Sequence, residues 1–183
     1  APVEGIRPSA SRADLRLALA KLALDSAPGE SRFRLLLSAS DGTVYVIVQP
    51  FTPLAKEIYE RGVKVITASL TRHDPRRKDS GFITESQSAR TKVGGDVFEV
   101  LLTKNGKIYE GMTSNFYAIL PSVIARNEAI SSSCNDGAIL LTARTGILLG
   151  VTRRAVLRLA KGQGMDIRYR LPRVDEEFAE AFL

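Results

Sequence analysis

The stretch that most restricts the fold is "VFEVLLTKNGKIYEG", residues 97–111, in which two β-rich runs meet at Asn105-Gly106. The tightest hairpin turns need positive φ at both central residues, and Asn-Gly is a pair that accepts this, so an antiparallel hairpin is expected here. "SNFYAILPSV" follows closely enough to add a third strand and make a meander. A second signal of the same kind, Asp41-Gly42 inside "SRFRLLLSASDGTVYVIVQPF", predicts another hairpin nearer the N-terminus.

Helical periods lie between and around these strands. "SASRADLRLALAKLALDS" predicts a helix over 12–26, with Ser11 as cap, Asp14 three residues on, and Leu15, Ala18, Leu19 and Leu22 on one face. Pro50 and Pro53 punctuate the chain before a short helix near 54–61, closed by Gly62, and a strand "VKVITASL". The loop "TRHDPRRKDSG" then leads to a helix at about 82–91. "IARNEAISSSCNDG" has no period and marks 121–137 as an insertion. After a strand "AILLTA", a helix opens at Thr152, with Val151, Ala155, Val156 and Leu159 apolar and Arg153, Arg154, Arg158 and Lys161 facing water. "DIRYRL" reads as a strand and "DEEFAEAF" as a short final helix. The order implies an α+β protein: a small α/β unit over 1–50, a linker over 51–62 and a larger β-rich unit over 63–183.

Composition narrows the chemistry. A chain of 183 residues, 44% hydrophobic and 25% charged, is that of a soluble globular protein. No apolar run approaches the roughly 20 residues of a membrane helix, and "APVEGIRPSASRADLR" lacks the layout of a signal peptide, so a cytoplasmic protein with no membrane partner is expected. One histidine and one cysteine cannot build a His/Cys zinc site, and Cys134 has no partner for an intramolecular disulfide. A Ser-His-Asp triad would have to use His73, which sits in a loop-like stretch. The net charge of +6 suits an anionic partner, yet the densest cluster, Arg72, Arg76, Arg77 and Lys78, has no interleaved aromatics. The expectation is no nucleic acid, and instead a solvated surface or a small anionic ligand.

Three features could form one site. Lys78 follows a proline-containing loop and could present an amine from a turn. Glu110 ends a strand beside Gly111; alone it reads as an exposed turn glutamate, but an anion there could keep a ring nitrogen protonated while the glycine admits the ring. Gly150-Val151-Thr152-Arg153 opens a helix whose free N–H groups could take an anion, although by itself Thr152 reads first as a simple N-cap. An amine, a carboxylate and a helix-terminal phosphate site are together what pyridoxal phosphate requires.

At this point the motifs match a family. "KDSGFITESQSARTKVGGDVFEVLLTKNGKIYEGMTSNFYAIL", "LLTARTGILLGVTRRAVLRLAKGQGMDI" and "DEEFAEAFL" resemble the class IV pyridoxal-phosphate aminotransferases, which include branched-chain aminotransferases, D-amino-acid aminotransferases and aminodeoxychorismate lyases. The resemblance implies a fold-type IV architecture: part of a small α/β domain, then a larger β-rich, pseudo-barrel domain flanked by helices. It implies pyridoxal 5'-phosphate as cofactor, Lys78 as the Schiff-base lysine and Glu110 as partner of the pyridine nitrogen. Thr113, Ser114 and Asn115 would line the cofactor, and Gly150, Val151 and Thr152 would hold its phosphate. No metal is implied. The implied reaction moves an amino group between an amino acid and a 2-keto acid in a homodimer, with lyase-type elimination or a non-catalytic family member as alternatives. Against the family's layout the chain is shortened at both ends, and Ile83 stands where many members carry a tyrosine five positions after the lysine.

Overall fold

The computed structural model describes residues 6–27, 29–72, 81–120 and 138–183. Lys78, His73, Cys134 and the expected insertion at 121–137 lie outside the described residues. Contacts divide the chain into two compact units, Ala1–Gly62 and Val63–Leu183.

In the first unit, α1 (Arg12–Asp25) starts with a complete capping box: Ser11 Oγ accepts from the Asp14 N–H, and the Asp14 carboxylate accepts from the Ser11 N–H. Strands β1 (Ser31–Leu37) and β2 (Val44–Pro50) pair antiparallel. They are joined by six residues instead of a two-residue turn, and Asp41 accepts from the N–H and hydroxyl of Thr43 within that loop. Helix α2 (Lys56–Arg61) ends at Gly62, whose φ of 73° stops the helix.

The second unit holds the hydrophobic core. Strands β3 (Lys64–Ser69), β4 (Val97–Lys104) and β5 (Lys107–Gly111) form one sheet, with β3 and β4 parallel and β4 and β5 a hairpin. The Asn105-Gly106 turn has positive φ at both residues, 52° and 70°. A second sheet, in the order β8-β7-β6-β9, contains β6 (Tyr117–Ile119), β7 (Ile139–Thr142), β8 (Asp166–Arg168) and β9 (Glu180–Phe182). The expected meander therefore breaks after β5, because β6 crosses into the other sheet. The expected final helix is strand β9: Ala181 pairs with Ala118, and Phe182 stacks on Tyr117 at 4.9 Å, a contact only an extended chain beside β6 delivers.

Alternation along the strands explains the layers. Leu101 of β4, Ala118 of β6 and Ile139 and Leu141 of β7 point into one core between the sheets, with Ile108 and Phe116. Val100 and Leu102, on the opposite face of β4, pack with Phe82 and Ala89 of the short helices α3 (Gly81–Glu85) and α4 (Gln87–Arg90). These two helices stand where one helix over 82–91 is expected. Tyr117 and Leu140 pack against Ala160 and Val156 of α5 (Val151–Gly162). A sheet covered on both faces needs continuous apolar runs, which is why "VLL" and "ILL" show no alternation in sequence.

Helix α5 is rotated from the expected face. Arg153 is buried while Val151 and Leu159 are exposed, so the inward positions are 153, 156 and 160. Leu141 lies fully inside the inter-sheet core. Leu141→Ala is predicted to lower the unfolding free energy of this unit by about 3 kcal/mol in chemical denaturation, as loss of a buried leucine leaves a cavity; a change under about 1 kcal/mol would contradict this packing.

Candidate active site

Two strand registers put Glu110 where it is. Ala68 pairs with Leu102, and Leu102 pairs with Glu110, so the three lie in one row across the first sheet. Four residues past Ala68 the chain reaches Arg72, whose Nε donates to Glu110 Oε1 at 2.6 Å. Its Nη2 donates to the Met112 carbonyl at 3.1 Å, and the guanidinium lies 4.0 Å from the Phe82 ring centroid. The other carboxylate oxygen, Oε2, accepts from the Leu148 N–H at 3.0 Å and from Asn115 Nδ2 at 3.4 Å. Glu110 is 2% exposed, so it is a buried, charge-paired carboxylate and not an exposed turn residue. Removing one member of such a pair strands the other, at a typical cost of about 3–5 kcal/mol.

A second buried carboxylate shapes the turn that follows. Glu99 Oε2 accepts from the Thr113 N–H at 3.1 Å, from its hydroxyl at 2.6 Å and from Ser114 Oγ at 3.3 Å; Oε1 accepts from the Val100 N–H. This folds residues 112–115 back over β5. A Cβ at position 111 would lie 2.3 Å from Ser114 Oγ and 3.2 Å from Glu99 Oε2. A side chain at 111 would therefore have to displace the Ser114 hydroxyl and crowd Glu99, so glycine suits this turn. Asn115 Nδ2 also donates to the Leu148 carbonyl at 2.9 Å and ties the turn to the loop before α5.

That loop delivers the third component. Gly150 is the N-cap of α5, in extended conformation, and no side chain caps it; Thr152 is the second residue of the helix, not its cap. The first-turn N–H groups are therefore not claimed by a capping side chain. Glu110, Thr113, Ser114, Asn115, Gly150, Val151 and Thr152 all line one cavity of roughly 340 Å³. Lys78 lies outside the described residues, and the cavity also takes in Arg72, Tyr117, Leu148 and Arg153. Among the described residues no cluster of His, Cys, Asp or Glu could hold a metal ion, and no helix is long and apolar enough to cross a membrane.

The family profile described as amino-transferase class IV matches residues 3–183. The chain is a class IV aminotransferase by family. It is 28% identical to the branched-chain-amino-acid aminotransferase of Pseudomonas aeruginosa over 141 residues, 72% of this chain and 41% of the relative. Among solved structures, the branched-chain aminotransferase of Thermoproteus uzoniensis superposes with a TM-score of 0.64 at 20% identity, covering 97% of this chain and 61% of that one. The 4-amino-4-deoxychorismate lyase of Pseudomonas aeruginosa gives 0.63 at 19%, covering 91% and 62%. The chain thus spans between 41% and 62% of the length of these proteins, and the structural likeness establishes the fold-type IV, α+β architecture of this class IV aminotransferase.

Sequence reasoning gave no site role to Arg72 or Glu99 and placed Arg153 on the wet face of its helix. Arg72 was visible only as one of a cluster of cations; its position just past a strand that runs parallel to β4 was the usable signal. Arg153 stands in a helix rich in cations, where nothing in the spacing separates the buried one.

Burial pushes the Glu110 carboxyl above its ordinary value, while Arg72, the Leu148 N–H and the charge of Arg153 pull it back down. Burial likewise raises the Tyr117 phenol. For an acid raised in the folded state, the stabilising contribution is complete below the unfolded-state value of 4.5 and is lost as pH rises through the folded-state value. The unfolding free energy of wild type minus that of Glu110→Gln is therefore predicted to fall as pH rises from about 4.5 and then level off. Denaturant titrations at a series of pH values measure it, and a difference that grows with pH would contradict the direction of the shift.

Proposed function

We propose that this chain acts as a pyridoxal-phosphate-dependent transaminase, moving an amino group between an amino acid and a 2-keto acid. The supporting observation is that one cavity joins a buried carboxylate, Glu110, to an uncapped helix start at Val151 and Thr152. These are opposite requirements, a proton-holding anion and an anion-accepting dipole, and the cofactor has one group for each, a ring nitrogen and a phosphate. The residues present therefore fit it. When bound, pyridoxal phosphate supplies the electron sink for charge developing at the substrate α-carbon.

The chain's own residues do the rest. Glu110 accepts the N–H of the ring nitrogen and keeps that proton in place. Arg72 and the Leu148 N–H fix the carboxylate's orientation, so it is preorganised before any ligand arrives. The first-turn N–H groups and the Thr152 hydroxyl hold the phosphate. Thr113, Ser114 and Asn115 form the polar wall between these ends, set by Glu99 and Leu148. Lys78 would hold the cofactor through Nζ and supply the base for the proton at the substrate α-carbon. In this reading the protein works in the cytoplasm as a homodimer, with residues 51–62 linking a small domain to the cofactor-binding domain.

The test is spectroscopic. Full chain mixed with pyridoxal phosphate is predicted to gain a visible absorption band, and borohydride is predicted to fix the label on Lys78. A wild-type protein that never acquires the band, or a Lys78→Ala variant labelled equally, would overturn the reading. Product analysis then identifies the reaction: amino-group transfer to a keto acid is expected, and release of pyruvate from aminodeoxychorismate without transfer would place the chain with the lyases.

A further inference from the structure

Phe82 is buried where its ring does more than fill the core. Its neighbour Ile83 is 54% exposed while Phe82 is 7% exposed, so the short helix α3 turns its ring inward from position 82. The backbone there is held firmly. The Phe82 carbonyl accepts from the Ser86 N–H at 2.9 Å and from Ser86 Oγ at 2.6 Å, and Arg90 Nε donates to the same hydroxyl oxygen at 2.9 Å. The side chain packs in one cluster with Val100, Leu102 and Met112, and the Arg72 guanidinium lies over its ring, 4.0 Å from the centroid. Of the four arginines that lie over rings among the described residues, Arg72 comes nearest, the others standing 5.0, 5.6 and 5.9 Å away. It is also the one whose ion pair, with Glu110, is buried.

A guanidinium donates its hydrogen bonds within its own plane, and Arg72 uses that plane fully toward the site. Nε donates to Glu110 Oε1 at 2.6 Å and Nη2 to the Met112 carbonyl at 3.1 Å. The faces of the plane carry no donors. A ring over one face attracts the cation through its quadrupole and keeps water from the pair, and a lower local dielectric strengthens the attraction between Arg72 and Glu110. Phe82 itself does not line the cavity, so it reaches the site through Arg72.

We propose that Phe82 is a positioning residue of the site: its ring fixes the Arg72 guanidinium against Glu110 and keeps that ion pair dry. This rests on the reading that Glu110 serves the ring nitrogen, and deepens it by naming the side chain that steadies the carboxylate's partner. Among the described residues the charges that act on Glu110 are those of Arg72 and Arg153, and both favour its ionised form. Phe82→Leu removes neither charge, keeps position 82 apolar and takes away the π face. Arg72 is then held less firmly, and Glu110 binds its proton more tightly.

The experiment is a pH titration of the full chain without cofactor, followed by the 13C resonance of the Glu110 side-chain carboxyl and the 15N resonance of Arg72 Nε. In Phe82→Leu the Glu110 midpoint is expected to rise by at least about 0.5 pH unit, about threefold in proton affinity, and the Arg72 N–H is expected to exchange faster with water. Phe82→Tyr, which keeps the ring face, is expected to match wild type in both. A midpoint that stays or falls in Phe82→Leu, or that moves equally in Phe82→Tyr, would overturn the proposal and leave Phe82 a core residue. Should Phe82→Leu fail to fold, the wild type decides: ring current is expected to carry the Arg72 guanidinium protons upfield, and ordinary arginine positions would overturn the contact. The cofactor's absorption band is read separately. A chain that titrates as expected but never gains the band loses the transaminase reading and keeps the Phe82–Arg72 contact, while a chain with the band and an unmoved midpoint does the reverse.

Discussion

The second unit is organised around a carboxylate that it has no ordinary reason to bury. Glu110 is held from three directions: by Arg72 from the end of β3, by Asn115 from the turn after β5, and by Leu148 from the loop before α5. These segments are separated in sequence by up to 76 positions, from 72 to 148, and each belongs to a different part of the fold. An unpaired buried carboxylate would be expelled or protonated, so the three donors and the carboxylate are mutually dependent. Placing Glu110 therefore also places the start of α5, because Asn115 and Leu148 connect the two through a pair of short hydrogen bonds.

The same logic of buried charge runs through the cavity. Glu99 on β4 accepts from its neighbour Val100 and from Thr113 and Ser114 of the turn after β5, and so spends its charge on ordering that turn. Arg72 spends its charge on Glu110. Arg153 donates to Thr142 Oγ1 and the Ala143 carbonyl, and its charge also acts on Glu110. The electrostatic character of the site thus follows from how its buried charges are shared among these partners.

Much of this was legible in the sequence, and the limits have physical causes. The hairpins and the capping box were readable because turn dipeptides and caps act over a few residues. Seven of the eight candidate site residues line one cavity; the family resemblance, carried over residue by residue, supplied that set. The destination of β6 was not readable: antiparallel pairing with β5 or with β7 suits "YAI" equally, and sheet exchange is decided by long-range packing. "DEEFAEAF" has helical composition, yet the stack of Phe182 on Tyr117 and pairing to β6 override that propensity. The burial of Arg153 was invisible because an arginine on an amphipathic helix ordinarily marks the wet face, and only the strand end at Thr142 and Ala143 turns it inward.

The most direct test of the central claim is the 15N resonance of pyridoxal phosphate labelled at its ring nitrogen and bound to the full chain. If Glu110 is the group that holds the ring proton, the resonance sits at the protonated position in wild type across neutral pH and moves to the unprotonated position in Glu110→Gln. A ring nitrogen that is unprotonated in wild type, or that is unchanged by the substitution, would contradict the account.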